Sequence, residues 1–469
     1  RMFKRVAAIG SSTAVIGALL TGALSAPALA ACTTAAEPTA SDGVRQVSEG
    51  AHLEWILADT SRWSLDYALT TSFTYTCTWT NQAIGNGTTK FTGTFDGGGY
   101  TVSGLTIAGD TSTDYMGLFG YTDGAEISNL GFAGDVSGDD EVGGLIGQAD
   151  NTTVTNSWAT GTVTGDDDYV GGLIGEAVSS TVTGSWATGT VSAVEDVSKG
   201  KGGLIGWADG SSVSDSWASG TVLGAADESE SAGGLVGYAV SSSISSCWAS
   251  GLVDNDGTDS PGSGGLVGHA SLSSISSSWA SGDVRGDGDA GGLVGHFDST
   301  SLANSWATGN VSGGVDGGDD VGGLIGQADD TDGSIPTVSG SWASGSVTVT
   351  NSSAHFVGGL VGDVGPGTVA ESWASGNVSA ASDRVGGLTG EVSTGSVVRS
   401  FARGSVSGRD YVGGLVGTLD NATGSISDSY ALGTVTASRD YVGGLVGENQ
   451  GTVQRSYSTG AVSATTSSQ

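Results

Sequence analysis

One phrase recurs eleven times between Val142 and Gln469, and it restricts what this chain can fold into. In its commonest form the phrase is G-G-L-[IVT]-G, an interval of variable residues, and then S-[WFY]-A-[ST]-G-x-V. Its leucines are Leu145, Leu173, Leu204, Leu235, Leu266, Leu293, Leu324, Leu360, Leu388, Leu415 and Leu445. Between each aromatic residue and the next leucine the distance varies from fourteen to eighteen residues, and this part is rich in Asp, Gly and Ser. A constant half of the repeat therefore alternates with a variable half.

The aromatic residue of the phrase keeps a fixed distance from the leucine in most copies. In eight copies it follows after thirteen residues, at Trp158, Trp186, Trp217, Trp248, Trp279, Trp306, Trp373 and Phe401. In the other three copies the aromatic residues are Trp342, Tyr430 and Tyr457, and their distance from the leucine differs from thirteen residues. Repetition at a period of about thirty residues is typical of a solenoid, in which each unit packs only against its neighbours.

The composition excludes long helices, because 84 glycines leave no helical window uninterrupted. The apolar stretches are short β-type runs separated by glycine, and one unit is too small to bury its own apolar face. We therefore predict an all-β fold, a single-stack parallel β-helix (β-solenoid) of about 12 coils with a small N-terminal cap. Coils spaced by about 4.8 Å would form a rod about 60 Å long.

Changes in composition divide the chain into segments. Residues 1–31 have the basic start and apolar stretch of a signal peptide. Residues 32–43 are predicted to be a tether, 44–90 a cap with a short helix capped by Ser48, and 91–141 the first, atypical coils. Residues 142–462 hold the repeats, and the tail at 463–469 is too short to cover the last coil. An open last coil predicts either a further cap domain that covers it or end-to-end self-association.

Two cleavage sites compete at the end of the signal peptide. The run Ala28-Leu29-Ala30 suits ordinary signal peptidase, whereas Leu29-Ala30-Ala31-Cys32 resembles a bacterial lipobox, in which Cys32 carries the lipid. The chain has only three cysteines, so we favour a lipid anchor at Cys32 over free secretion. Both alternatives place the protein outside the cell. The remaining Cys77 and Cys247 are too few for a disulfide scaffold, and Cys247 is expected to be a buried structural thiol.

Alternation along a strand predicts which side chains of the constant half face the core. A valine stands five residues after every aromatic residue, so this position is predicted to be interior, at Val163, Val191, Val222, Val253, Val284, Val311, Val347, Val378, Val406, Val435 and Val462. Small residues such as Ala159 and Gly161 share its parity and are expected to face inward too. The aromatic residues then form an outward ladder, provided that no bulge at Gly161 reverses the alternation.

The phrase resembles the GLUG motif of bacterial surface and secreted proteins. Val170-Gly171-Gly172-Leu173-Ile174-Gly175 and Ser185-Trp186-Ala187-Thr188-Gly189-Thr190-Val191 carry the resemblance, which covers nearly all of residues 91–462. It implies a right-handed β-helical module at the cell surface, often an accessory region of a larger protein. Some members have a separate zinc peptidase domain, but the four histidines here never form H-E-x-x-H, so no proteolytic activity carries over.

The charge of the chain limits its partners. A formal net charge of −34 disfavours nucleic acid and anionic lipid, so a membrane contact is expected only through a lipid anchor. Carboxylates concentrate in the variable loops, and Ca²⁺ takes six to eight oxygen ligands, so Ca²⁺ is the one metal considered. Its candidate ligands are Asp139, Asp140, Asp166, Asp167 and Asp168. No loop has the EF-hand pattern, and a solvated acidic edge explains the same residues without a metal.

The aromatic ladder has two interpretations. Exposed tryptophan faces can stack on sugar rings, which makes a ligand platform of Trp158, Trp186, Trp217, Trp248, Trp279, Trp306, Trp342 and Trp373. Alternatively, identical rings stack only because the repeat places them above one another. We favour this second, structural interpretation.

An enzyme and an ice-binding protein are both disfavoured by the repeats. A lyase or hydrolase needs a unique acid and base, and only the loop with Glu195, Asp196, Lys199 and Lys201 has the ingredients. An ice-binding face needs a regular threonine array, but residues such as Arg403 and Leu432 interrupt the hydroxyl-rich positions after the aromatic residue.

We therefore predict a non-enzymatic, exported β-solenoid that acts at the cell surface as an adhesin, spacer or binding scaffold. Its partner would be a glycan or protein on a host or cell surface, with no cofactor. The alternative is an extracellular β-helix that binds or processes carbohydrate on its aromatic ladder.

Overall fold

The structure, a computed structural model, describes residues 32–193, 199–224, 231–255, 262–313, 320–330 and 333–465. The predicted signal peptide at residues 1–31 lies outside these ranges. The described chain forms an all-β parallel solenoid of about 13 turns, against the predicted 12, which confirms the predicted fold class.

A helix closes the N-terminal end of the solenoid. The helix Gly50–Leu57 buries Gly50, Leu53 and Ile56 along one face, and a 3-10 turn follows at Thr60–Arg62. Its N-cap is Glu49 rather than the predicted Ser48, and it lacks a side-chain capping bond. Burial against the first strands therefore stabilises this helix more than its cap does.

The first turn begins inside the segment that the sequence assigned to the cap. The strands Tyr67–Leu69 and Phe73–Thr80 pair in parallel with Thr94–Asp96 and Thr101–Ala108 of the next turn. Among the described strands, only the hairpin of Ala40–Ser41 and Val44–Val47 is antiparallel. The cap is consequently smaller, and the solenoid longer, than composition suggested.

From Val142 onward each turn passes through four parallel sheets, which we label D, C, A and B in the order in which the chain enters them. Sheet D has 11 strands: Val142–Gly143, Val170–Gly171, Lys201–Gly202, Ser231–Gly233, Gly262–Gly264, Ala290–Gly291, Asp320–Gly322, Phe356–Gly358, Val385–Gly386, Val412–Gly413 and Val442–Gly443. Sheet C has 12 strands: Phe119–Asp123, Ile146–Asp150, Ile174–Val178, Ile205–Asp209, Val236–Val240, Val267–Ser271, Val294–Asp298, Ile325–Asp329, Val361–Val364, Thr389–Val392, Val416–Leu419 and Val446–Asn449.

Sheets A and B complete the turn. Sheet A has 16 strands: Ala40–Ser41, Val44–Val47, Tyr67–Leu69, Thr94–Asp96, Glu126–Ser128, Thr153–Thr155, Thr181–Thr183, Ser212–Ser214, Ser243–Ser245, Ser274–Ser276, Ser301–Ala303, Thr337–Ser339, Thr368–Ala370, Ser396–Val398, Ser425–Ser427 and Thr452–Gln454. Sheet B has 26 strands: Phe73–Thr80, Thr101–Ala108, Gly131–Ala133, Val136–Gly138, Trp158–Ala159, Val163–Gly165, Trp186–Ala187, Val191–Ala193, Trp217–Ala218, Val222–Leu223, Trp248–Ala249, Val253–Asn255, Trp279–Ala280, Val284–Gly286, Trp306–Ala307, Val311–Gly313, Trp342–Ala343, Val347–Val349, Trp373–Ala374, Val378–Ala380, Phe401–Ala402, Val406–Gly408, Tyr430–Ala431, Val435–Ala437, Tyr457–Ser458 and Val462–Ala464.

The predicted interior positions line the core of the solenoid. The valine column is buried from Val163 to Val435, as are the leucines from Leu145 to Leu415. Val462 is 45% exposed, because its strand is the last of sheet B and pairs on one side only. Each turn therefore contributes one layer of buried side chains to the core, and the next turn covers that layer.

A glycine column sets how closely successive turns approach. At Gly189 a Cβ atom would lie 1.7 Å from the carbonyl oxygen of Gly161 in the preceding turn, closer than any side chain can come. The chain bends at these glycines between two strands of sheet B, yet Ala159 before the bend and Val163 after it are both buried. The bend therefore does not reverse the alternation, and the aromatic residue stays on the outer surface.

Candidate functional site

Eleven aromatic residues form one continuous ladder on the outer surface of sheet B. Each is paired in register with the aromatic residue of the next turn, from Trp158 with Trp186 to Tyr430 with Tyr457. Trp342, which is out of step in the sequence, pairs with Trp306 and Trp373. The extra residues before it are accommodated before sheet A, so register in sheet B is kept.

The rings of the ladder stack on one another rather than lying flat on the sheet. Successive ring centroids are 4.7 to 6.3 Å apart, and the angles between ring planes are 2° to 10°. The rings between Trp158 and Tyr457 therefore have both faces covered by neighbouring rings, and the solvent meets their edges. Because a sugar ring stacks on an aromatic face, this geometry favours a structural role for the ladder.

A buried serine column fixes the backbone that carries the ladder. From Ser157 to Ser429 the residue before the ring is buried, and it is a serine in every turn but one. Its N–H donates to the side chain of the equivalent residue one turn later, as from Ser157 to the hydroxyl of Ser185 at 3.1 Å. Each hydroxyl in turn donates to the carbonyl two residues back, as from Ser157 to Thr155 at 2.9 Å. No buried N–H of the column between Ser157 and Ser429 depends on water.

Cys247 takes the place of a serine in this column. Its N–H donates to the hydroxyl of Ser278 at 3.1 Å, and its Sγ donates to the carbonyl of Ser245 at 3.2 Å. Burial raises the pKa of the Cys247 thiol to about 11. Cys247 is thus the free, buried structural thiol that the sequence predicted.

A second column, on the outer surface of sheet C, was missed by the sequence reasoning. It holds the residue three places after each repeat leucine, and it includes four rings in a row, Trp207, Tyr238, His269 and His296. The centroids of these rings are 4.2 to 4.5 Å apart. Elsewhere the same column holds Gln, Glu, Asp or Thr, so residue identity gave no periodic signal.

Several ionisable groups in the second column are buried enough to change their titration. Burial raises the pKa of Asp363 to about 8 and that of Glu391 to about 7, while Arg384 at 3.7 Å opposes the shift of Glu391. Burial and the neighbouring His296 lower the pKa of His269 to about 3. This column therefore carries two groups, Asp363 and His269, whose neutral form predominates at pH 7.

The predicted calcium ligands are only partly brought together. Carboxylate oxygens of Asp140, Asp167 and Asp168 lie within 4.8 Å of one another, where two loops stack, whereas Asp139 and Asp166 lie outside this group. Asp140 accepts a hydrogen bond from the N–H of Asp168 at 2.8 Å, and the Lys199 ammonium lies 3.1 Å from Asp168. The lysine already offsets part of the negative charge that a cation would neutralise.

The sulfur predicted to carry a lipid forms a disulfide. Cys32 is bonded to Cys77 of the strand Phe73–Thr80, with the two Cα atoms 5.1 Å apart. The sequence did not anticipate this pair, because 45 residues separate its members. One sulfur cannot carry both a disulfide and a thioether-linked lipid, so the disulfide and the lipid anchor are alternatives.

The loop that was the candidate for catalysis does not bring an acid and a base together among the described residues. Glu195 and Asp196 lie outside the described ranges, Lys199 pairs with Asp168, and Lys201 is buried in sheet D. A cleft of about 340 Å³ lies between the cap and the first turns, and Asp114 is its one carboxylate. Glycoside hydrolysis ordinarily uses two carboxyl groups, whereas the residues that line this cleft include one.

Comparison with known proteins agrees with the repeat architecture. The family model for the GLUG motif matches residues 141–164 and 408–436. Each matched segment runs once around the solenoid, from sheet D to the valine of sheet B. No curated protein is significantly similar to the chain. Within the described residues, no helix has the length and hydrophobicity that crossing a membrane requires.

Proposed function

We propose that this chain, a GLUG-motif repeat protein, is an exported cell-surface solenoid that acts without catalysis as a spacer, adhesin or binding scaffold. The observation that carries the proposal is the unbroken register of its turns, which repeats the same surface columns eleven times. Many equal weak contacts along a rod yield avidity. A catalytic site instead needs one unique set of residues.

Export is supported by the disulfide between Cys32 and Cys77. Disulfides persist in oxidising compartments outside the cytosol. Mass spectrometry of the mature N-terminus separates the two modes of export. A diacylglyceryl group on Cys32 would establish the lipid anchor and exclude the disulfide, whereas an unmodified N-terminus with Cys32 and Cys77 linked would establish free secretion.

The scaffold role is tested by removing one turn. Deleting residues 266–292 joins Gly265 to Leu293, which occupies the position of Leu266 one turn later. We expect the shortened protein to fold, to lose about 4.8 Å of length in solution scattering, and to keep most of its adhesion when displayed on cells. Deleting only residues 266–278 is the control, because half a turn destroys register.

Attachment of the displaying cells to mucin-coated glass gives the functional measurement. A graded decrease as turns are removed supports the scaffold. Complete loss on removing any single turn would contradict it, because that behaviour indicates one unique site.

The alternative function is carbohydrate binding on the aromatic ladder. One observation favours it: Tyr457 is 54% exposed and, among the described residues, stacks on one ring only, that of Tyr430. The stacked geometry of the other rings counts against it, because their faces are covered. A glycan array with ladder variants tests this alternative.

A further inference from the structure

Sheet A carries a column of hydroxyl groups on its outer surface that the proposed function does not use. The first residue of its strand stands five places before the aromatic residue in every repeat, and it is always Ser or Thr. The column consists of Thr153, Thr181, Ser212, Ser243, Ser274, Ser301, Thr337, Thr368, Ser396, Ser425 and Thr452. The following residue in each strand, such as Val154, points into the core.

A second column runs beside the first, two residues further along each strand. It begins with five hydroxyl residues, Thr155, Thr183, Ser214, Ser245 and Ser276. It then continues as Ala303, Ser339, Ala370, Val398, Ser427 and Gln454. All side chains of the two columns are short from Thr153 to Ser427, whereas longer side chains such as Glu371 and Arg399 stand at the edge of the array, one residue after the second column.

The two columns form a regular lattice, because every strand of this stretch pairs in parallel without a register shift. Neighbouring strands are about 4.8 Å apart, and two residues along a strand span about 6.6 Å. Successive ladder rings on the adjoining sheet B are inclined by only 3° to 5° to one another, as expected for turns that stack with little twist. The spacing of the hydroxyl-bearing residues in the array is therefore set by the backbone.

This array is uncharged in a protein of net charge −34. From Thr153 to Ser427 neither column contains an acidic or basic residue. The two columns themselves offer a charged partner nothing to pair with, and the nearest charges, on Asp215, Glu371 and Arg399, stand one residue beyond the second column. The columns also offer a soluble sugar no exposed ring face. The surface offers only hydroxyl and methyl groups at a fixed repeat.

We propose that the outer face of sheet A binds ice. Each hydroxyl donates and accepts hydrogen bonds as water does, and short side chains lose little conformational entropy when they are held in place. A single water-like contact contributes little, so binding requires a rigid partner that meets many turns at once. Crystalline water is such a partner. This inference is independent of the scaffold role, because it concerns the purified protein alone.

The hydroxyl positions that weakened an ice-binding hypothesis in the sequence lie on a different face. Arg403 and Leu432 follow the aromatic residue and lie between the two sheet B strands of their turns. The hydroxyl column of sheet A precedes the aromatic residue and has no interruption. The array relevant to ice is thus the one on sheet A.

Ice affinity of labelled protein tests the proposal, with variants matched within the same two turns. S243K/S274K places long charged side chains on the array, whereas S250K/S281K places them at exposed serines of the sheet B side. We expect wild type and S250K/S281K to enter a slowly growing ice hemisphere, and S243K/S274K to be excluded at least tenfold. S243T/S274T keeps the hydroxyls and should enter ice like wild type, which also controls for folding.

Three outcomes would overturn the proposal. Wild type could be excluded from ice as serum albumin is. Both lysine variants could behave alike. Wild type could bind microcrystalline cellulose but not ice, with loss in S243K/S274K, in which case the array recognises a crystalline polysaccharide instead.

Discussion

The Nδ1 atom of His296 lies 2.7 Å from Oδ2 of Asp289, joining the second column to the loop before sheet D. Burial lowers the pKa of His296, but the hydrogen bond and charge of Asp289, with smaller effects from Asp298 and Asp329, raise it more. The net pKa is above the ordinary value of 6.5. Neighbouring His269, which burial holds neutral, shifts in the opposite direction.

Replacing Asp289 with asparagine should destabilise the protein only at low pH. A histidine with a raised folded pKa stabilises fully below pH 6.5, and this contribution is lost as pH rises through the folded pKa. We expect D289N to lower the free energy of unfolding by about 1 kcal/mol at pH 5.5 and by little at pH 9. Urea titrations at the two pH values measure this, and an equal loss at both would contradict the ion pair.

Asp363→Asn should stabilise the protein at high pH. The buried Asp363 has a pKa of about 8 instead of 3.8, and its Oδ1 lacks a hydrogen-bond partner among the described residues. The folded protein therefore holds a proton that the unfolded chain releases, and wild-type stability falls between pH 4 and pH 8. We expect D363N to match wild type at pH 4 and to gain about 1–3 kcal/mol at pH 8.5. The exposed variant D215N should show no such divergence in thermal melts.

Removing one hydroxyl of the buried serine column should cost more than removing an exposed one. In S216A the N–H of Ser185 loses its acceptor at 3.1 Å and stays buried. The expected loss is about 1–3 kcal/mol. S250A, an exposed serine after the ladder, is the matched control and should change the urea midpoint little. A similar midpoint for both variants would show that the column does not support the fold.

Trp217→Ala/Trp248→Ala separates the two interpretations of the aromatic ladder. The double variant breaks three stacked ring pairs, each worth about 0.5–1.5 kcal/mol beyond its buried area. If the ladder is structural, the thermal midpoint falls and a glycan array shows the same result as wild type. If the ladder is a platform, wild type binds glycans and the variant does not. L223A, at an exposed residue on the same sheet, controls for loss of apolar surface.

The calcium hypothesis predicts a stability change at the loops of Asp140, Asp167 and Asp168. A bound cation would hold the three carboxylates together and raise the thermal midpoint in excess Ca²⁺ over that in a chelator. D168N should reduce this difference, while D215N should keep it. Equal midpoints with Ca²⁺ and with chelator would leave the loops as a solvated acidic edge.

The sequence predicted the core of the solenoid well, because core positions require a particular side chain. Only a small side chain fits at Ala159, only glycine fits at Gly161, and the column of Val163 fills the interior of every turn. Register also followed from the repeat, although Trp342 showed that spacing alone misplaces a residue when a loop lengthens. The start of the first turn was misjudged, since Phe73–Thr80 pairs through a strand with no copy of the phrase.

The surface was harder to predict, because exposed positions accept many residues. The second column changes from Trp207 to Asp363 without disturbing the fold, so its rings and buried carboxylates left no pattern. The hydroxyl column of sheet A did leave a pattern, a Ser or Thr five residues before each aromatic residue. The sequence-based prediction considered only the hydroxyl positions after the aromatic residue. The disulfide between Cys32 and Cys77 could be recognised only from the three-dimensional path of the chain, which brings the two residues together.

The hydrogen bonds of the buried serine column favour one order in which the turns of this protein fold. Each N–H in the column donates forward, to a hydroxyl that arrives with the following turn, as from Ser185 to Ser216. A turn is therefore left incomplete until its successor docks, while the helix Gly50–Leu57 closes the opposite end. Synthesis from the N-terminus delivers the turns in the same order. Folding can thus nucleate at the closed end and grow toward residue 465, with each new turn acting as template for the next.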